Sequence, residues 1–383
     1  MKRRASTVRR APPTAANQPA PPAPAFVPPY PPSWVDRFTD WVDRLPGPPW
    51  AYYLAWAVVF FLLITGVQWS AGTYPVGTLK GSHAIAAFIT PYAIGLIHYL
   101  DRIAGPAMQV FRPAMRGDES LHQHLTYVLT TLPPRSALTA GLALLIAGMI
   151  VAAGAAFLQP SAAAGSDAWM RLELGFRILF EVGATPASYI VTLGFLVLNW
   201  WVGGTLVLHT VRRLSLVPRI YRRHTNVDLF RQGPLYALSR LTAQTMIGDL
   251  ILLYALASVR TYISQPLGGG TITVFTTLAL ASFALPLVGV HRVLAGEKER
   301  LLEGIADRLH DAGQELHRRI QAGRYRGMDE LNKALAGLEI QRNMIAAIPT
   351  WPWHPETLRT LLAALLLPLI VWLIQSVLQR LLG

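Results

Sequence analysis

The chain has 383 residues, of which 52% are hydrophobic and only 14% charged, with a mean hydropathy of +0.35. Soluble domains carry about 25% charged residues, so this composition excludes an ordinary soluble protein and excludes disorder over most of the chain. The net charge is +13 and cysteine is absent, which excludes disulfides, thiolate metal sites and a cysteine nucleophile.

Residues 1–32 read as a disordered basic tail. Lys2, Arg3, Arg4, Arg9 and Arg10 precede ten prolines between Pro12 and Pro32. Proline removes amide donors and favours an extended, solvated chain. No apolar stretch follows the basic start, so a secretory signal peptide is not expected. Such a tail suits anionic lipid headgroups, or a groove that reads proline-rich peptides. Residues 33–47 then predict a short amphipathic helix capped by Ser33. Trp34, Phe38, Trp41 and Leu45 share one face, which fits the membrane interface or a packed protein surface.

Seven apolar stretches follow, six in 48–291 and one in 349–383. They are Trp50–Ser70, His83–Leu100, Leu138–Leu158, Ala187–His209, Thr245–Ile263, Thr271–His291 and Thr357–Leu378. A helix crosses a bilayer core with about 20 apolar residues. The second stretch is short and holds Pro91. With seven spans and the N terminus inside, 29 of the 34 basic residues fall on the inner side. That asymmetry is what the positive-inside rule predicts, with the C terminus outside.

Residues 292–348 form the longest polar interval. Leu294, Leu301, Ile305, Leu309, Leu316 and Ile320 repeat at helical spacing, and no proline interrupts them, so the sixth span is expected to continue out of the membrane. Ala322 to Gly327 reads as a turn. A returning helix carries Leu331, Leu335, Leu338 and Ile345 on one stripe, an expected oligomer anchor. That stripe needs a partner: the outgoing helix, the 212–243 segment, or another subunit. Pro349, Pro352 and Pro355 end it, beside Trp351 and Trp353, which suit the membrane interface.

Asp249 is the acid that falls well inside a predicted span. An ionised group there costs about 2.5–3.5 kcal/mol on insertion scales. It either binds a cation or proton, or is satisfied by hydroxyl donors or an arginine near the inner surface. His98, His209 and His291 fall at the predicted inner ends of spans two, four and six, where two could ligate a haem or all could meet carbonyls and headgroups. His122 and His124 lie near Asp118 and Glu119, with no further ligand at a metal-site spacing. Span seven lacks the lysine of a retinal Schiff base. No phosphate-binding glycine loop, zinc-protease motif, serine-hydrolase elbow or arginine ladder occurs. Thr360, Ala364, Leu367, Val371, Gln375 and Gln379 line a stripe of span seven that could face a pore, with Pro368 kinking it.

This layout resembles the insect odorant and gustatory receptors: seven spans, N terminus inside, an extended sixth helix, a returning helix, a break and a last span. The resemblance covers roughly residues 50–383. Gln375 is followed by Ser376, and Leu369 stands where the gustatory signature has tyrosine. The resemblance implies a cytoplasmic anchor where four subunits meet, a cation pore lined by the last span, and a small-molecule ligand bound among the spans. It has distant members in prokaryotes, so a prokaryotic plasma membrane is the expected location. The expected fold is therefore all-α and polytopic, with seven transmembrane helices and a cytoplasmic helical hairpin. The expected function is a homotetrameric ligand-gated cation channel. The alternatives are a transporter or proton-coupled carrier using Asp249, and a non-conducting scaffold or sensor. No enzyme activity, no cofactor and no nucleic acid are expected; the partners are the bilayer, further copies of the chain and an unknown ligand.

Overall fold

The computed structural model describes residues 26–158, 167–183, 185–226, 228–231, 233–258, 266–351, 359 and 363. The regular elements among them are helices: α1 (Trp34–Asp43), α2 (Pro49–Ser70), α3 (Gly81–Phe111), α4 (Glu119–Thr130), α5 (Pro134–Phe157), α6 (Ala168–Leu179), α7 (Pro186–His224), α8 (Gly233–Ala257), α9 (Pro266–Gln321) and α10 (Met328–Ala347). Their starts follow local chemistry. Ser33, Asp118, Asp167 and Thr185 cap α1, α4, α6 and α7 through their side-chain oxygens. Proline stands in the first turn of α2, α5 and α7, where its missing amide costs nothing.

Five helical stretches among the described residues are long and apolar enough to cross a membrane: Pro49–Ser70, Gly81–Ala114, Glu119–Phe157, Pro186–His224 and Ile272–Gln321. They suit a membrane location. Leu54, Val58, Leu62 on α2 and Leu138, Leu142, Ile146, Ile150 on α5 stand exposed in rows at helical spacing. Such rows are costly against water and unremarkable against lipid. The second stretch, short in the sequence, lies in a helix of 31 residues that continues past Pro91 and Pro106. The expected fifth span falls in α8, which is helical but not among the five, because Arg240, Gln244 and Asp249 dilute its apolar length. The expected seventh span lies outside the described residues apart from Arg359 and Ala363.

Two hydrophobic clusters organise the chain. The first joins α2, α3, α5, α7 and α8 through residues such as Tyr53, Ile97, Leu100, Val202, Leu206 and Leu252. Within it α5 and α7 approach closely: a Cβ at Gly148 would stand 2.3 Å from Trp200, and one at Gly204 would stand 2.4 Å from the Ala140 carbonyl. Small residues at such points let helix backbones meet in lipid. The second cluster gathers the far ends of α3 and α7 and the middle of α9 with α8 and α10, through Met108, Phe111, Tyr221, Leu238, Leu294, Ile305 and Ile345.

The α9–α10 pair is joined at 322–327, where Gly323 (φ +63°) and Gly327 (φ +81°) take the left-handed conformation. Lys298 Nζ donates to the carbonyls of Ala346 (2.7 Å) and Ile348 (2.9 Å), which fixes the end of α10 beside α9. Of the expected anchor stripe, Ile345 is buried and Leu338 half-buried in this chain's own second cluster, while Leu331 and Leu335 are half-buried. The helix packs back on α9, and Leu338 and Ile345 fall in the cluster that also holds Tyr221 and Leu238. Ile340 and Met344 stay exposed.

The buried face of α1 is rotated from the one its aromatic spacing suggests: Trp34 and Phe38 pack half-buried against the first cluster, but the helix's fully buried residues are others. Val35, Asp36, Thr39 and Val42 are buried, and Trp41 is exposed. Val35 and Val42 belong to the first cluster, so α1 packs on protein. Asp36 can enter because its Oδ2 accepts from the Ser33 amide (2.7 Å) and the Leu132 amide (3.1 Å). The expected tail boundary at residue 32 also shifts: Phe26 and Tyr30 lie against the Tyr127 ring, and Tyr30 donates to the Thr131 carbonyl (3.0 Å).

Candidate functional site

At the end of the bundle where α2 begins, α3 places three ionisable residues within about one turn: His98, Asp101 and Arg102. Asp101 faces α7. Its Oδ1 accepts from Arg213 Nη2 at 2.6 Å and from His209 Nε2 at 3.0 Å. His209 and Arg213 are four residues apart, so one helical face presents both. Both are buried. A carboxylate accepts only, so the proton of neutral His209 sits on Nε2. His209 Nδ1 and Arg213 Nε and Nη1 are buried with no partner among the described residues, as is Thr210 Oγ1. This cluster ties α3 to α7 by charge.

One turn away, His98 faces α2 and α1. Its Nε2 donates to Asp43 Oδ2 (3.0 Å), which leaves Nδ1 to accept from the Tyr53 hydroxyl (2.8 Å). Arg102 Nη1 stands 3.9 Å from Asp43 Oδ1. Both ends of that pair are open: the Arg102 side chain is 66% exposed and that of Asp43 48%. Asp36 lies on the same side. Burial pushes its carboxyl up to about 6; hydrogen bonds from Ser33 and Leu132 oppose the rise, and the charge of Asp101 adds to it.

Asp249 stands apart from both clusters. It is 0% exposed, and neither carboxylate oxygen has a hydrogen-bond partner among the described residues. The expected satisfaction by hydroxyls or an arginine is therefore not found. Thr242 and Thr245, two turns and one turn earlier, donate instead to the carbonyls of Ser239 (2.9 Å) and Leu241 (3.1 Å). The neighbouring Gly248 carbonyl accepts from Tyr92 of α3 at 2.8 Å. A buried carboxyl in this state can hold a proton, or receive a cation that replaces it.

At the opposite end, Gln68 of α2 donates to Thr192 (3.2 Å) and accepts from Ser188 (2.8 Å) and Thr73 (2.9 Å). This uncharged network fixes α2 to the start of α7. Between the two ends Asn199 donates to the Ala86 carbonyl (2.9 Å) and accepts from Thr90 (2.6 Å).

The sequence-derived candidates are dispersed. Thr360, Ala364, Leu367, Val371, Gln375 and Gln379 lie outside the described residues. His98 and His209 are engaged by Asp43 and Asp101, and His291 stacks on Trp351 with ring centroids 4.0 Å apart. Among the described residues no group of three or more His, Asp or Glu side chains is placed to hold a metal ion. Sequence reasoning missed Asp101, Arg213, Asp43 and Asp36. The signal for two of them was present: His209 and Arg213 at i, i+4 on an apolar helix, and Asp101 three residues after His98. Comparison with protein-family models, with curated proteins and with solved structures finds no match to this chain.

Proposed function

We propose that the chain is a seven-span integral membrane protein, N terminus cytoplasmic, that assembles as a homotetramer into a ligand-gated cation channel. In this reading α8 is the fifth span and residues 357–378 the seventh, with Thr360, Ala364, Leu367, Val371, Gln375 and Gln379 along the pore. The supporting observation is α9. Its 56 residues exceed any single crossing: at 1.5 Å per residue they extend about 84 Å, against about 30 Å of bilayer core. The surplus length, with α10 packed back on it, leaves Ile320, Tyr325, Ile340 and Met344 exposed on a projecting pair. Apolar side chains in that position suit contact with further copies of the chain. Native mass spectrometry of protein released from nanodiscs tests this. Four copies support the channel and justify current recordings on Val371 and Gln375 variants; a monomer overturns it.

A second reading, a proton-coupled carrier, draws on the unpartnered carboxyl of Asp249. It predicts that Asp249→Asn abolishes substrate-driven proton flux in proteoliposomes. Unchanged flux removes it.

A further inference from the structure

Helices α2 and α8 both pack on α3, from either side of a groove floored by α3. The groove encloses about 570 Å³. Gly95 lets α2 come close to α3 along one wall: a Cβ there would stand 3.1 Å from the Tyr53 ring. Pro91, Leu96, Leu54 and Ile251 make its length apolar. A second cavity of about 510 Å³ shares Ala57 and Phe88 with it and carries the trough further along α3.

The two ends of the 570 Å³ groove differ in chemistry. At the Pro91 end it is apolar. At the other end it meets Arg102, Tyr99 and Gln244, with Trp50 exposed on the rim. Tyr99 donates to Gln244 Oε1 at 3.3 Å across the mouth. From Phe88, the farthest α3 residue lining it, to Arg102 is 14 residues of helix, or about 21 Å. One leaflet contributes half of a bilayer core of about 30 Å. An apolar trough at least one leaflet deep, ending at tryptophan, tyrosine and arginine, has the profile of a seated acyl chain and its headgroup.

The charge at the mouth narrows the headgroup. Arg102 and Asp43 stand 3.9 Å apart, and both side chains remain open to solvent. Asp43 also accepts from His98 Nε2 at 3.0 Å, which holds it beside the guanidinium. A lone arginine would favour any anionic lipid. An arginine and a fixed carboxylate side by side favour a headgroup that carries both signs. We propose that the α2–α3–α8 groove is a binding site for an aminophospholipid of the phosphatidylethanolamine type. Its phosphate meets Arg102, its ammonium meets Asp43, and one acyl chain lies along α3 to Pro91. This rests on the membrane reading, though not on the channel or the carrier.

The test uses the full chain in nanodiscs of equimolar phosphatidylethanolamine and phosphatidylglycerol with matched acyl chains, followed by native mass spectrometry after mild extraction. The wild type retains one lipid per chain, with phosphatidylethanolamine enriched about fivefold, the most that an exposed ion pair supplies. Asp43→Asn brings the two lipids to parity. Arg102→Gln lowers total retention about tenfold, the size of one charge-assisted hydrogen bond. Ala57→Trp fills the trough without touching the charges and lowers retention of both lipids. Equal retention of the two lipids by the wild type overturns the headgroup assignment. Undiminished retention in both Arg102→Gln and Ala57→Trp overturns the site. A chain that does not enter nanodiscs at all overturns the membrane reading beneath it.

Discussion

Two groups at one end of the bundle share a composition and differ in setting. Asp43 with His98 and Arg102, and Asp101 with His209 and Arg213, each join one aspartate, one histidine and one arginine. The same helix serves both, since α3 gives His98 and Arg102 to the first and Asp101 to the second. In the first, the arginine stands 3.9 Å away and is 66% exposed; in the second it stands 2.6 Å away and is 4% exposed. Open charges can exchange water for a ligand at little cost. Buried charges cannot, because neither ion survives without the other. The buried group therefore acts as a fixed brace between α3 and α7, and the open group is where a ligand can compete. Asp249 marks a third condition, burial with no partner among the described residues.

The largest expected effect follows from removing one charge of the buried brace. Asp101→Asn leaves Arg213 as an uncompensated buried cation, which costs about 3–5 kcal/mol. Asp43→Asn removes the same chemistry from a half-exposed position and costs under about 1 kcal/mol. Unfolding of each variant in the same detergent, by SDS titration against the wild type, measures the difference. Equal losses would erase the contrast between the two groups.

Asp249 should respond with the opposite sign. In the seven-span reading, in which α8 crosses the membrane, replacing Asp249 by leucine recovers about 3 kcal/mol on insertion scales when nothing balances the carboxyl. Asp249→Leu is therefore expected to unfold at higher SDS concentration than the wild type. A loss of stability would mean that the carboxyl is paired after all. A gain, coupled with lost transport, would assign the carboxyl to the carrier reading.

The elements differ in how far the sequence displayed them. The long apolar stretches were legible because lipid-facing rows such as those of α2 and α5 are apolar all round, and composition alone reveals them. The turn at Gly323 and Gly327 was legible because left-handed backbone needs glycine. The face of α1 was not. Aromatic spacing pointed to Trp41, whereas Asp36 went inside on two backbone amides, one of them from Leu132, 96 residues away. No local pattern carries a bond of that range. Asp101 was hidden for the same reason: its partners lie on another helix, 108 and 112 residues on. Helical spacing could pair His209 with Arg213, but it could not say what they face.

Asp36 supplies a smaller effect than Asp101 or Asp249 and a different kind of check, since its carboxylate is buried and accepts only from backbone amides. Its pKa rises from 3.8 to about 6 in the folded chain. A carboxyl that binds its proton more tightly when folded adds stability below the unfolded value, and that stability is lost as pH rises through the folded one. The window is thus about pH 4 to 6, with stability falling toward the higher pH. A rise of that size corresponds to at most about 3 kcal/mol, and partial contact with water at this bundle end reduces it to roughly 1–2 kcal/mol. Other carboxylates titrate over the same range, so the informative quantity is the difference between wild type and Asp36→Asn. That difference should change by roughly 1–2 kcal/mol between about pH 4 and pH 6 and be flat above about pH 7. A parallel pair of curves would show that the Ser33 and Leu132 amides hold Asp36 as a carboxylate, and would move it from Asp249's class into that of Asp101.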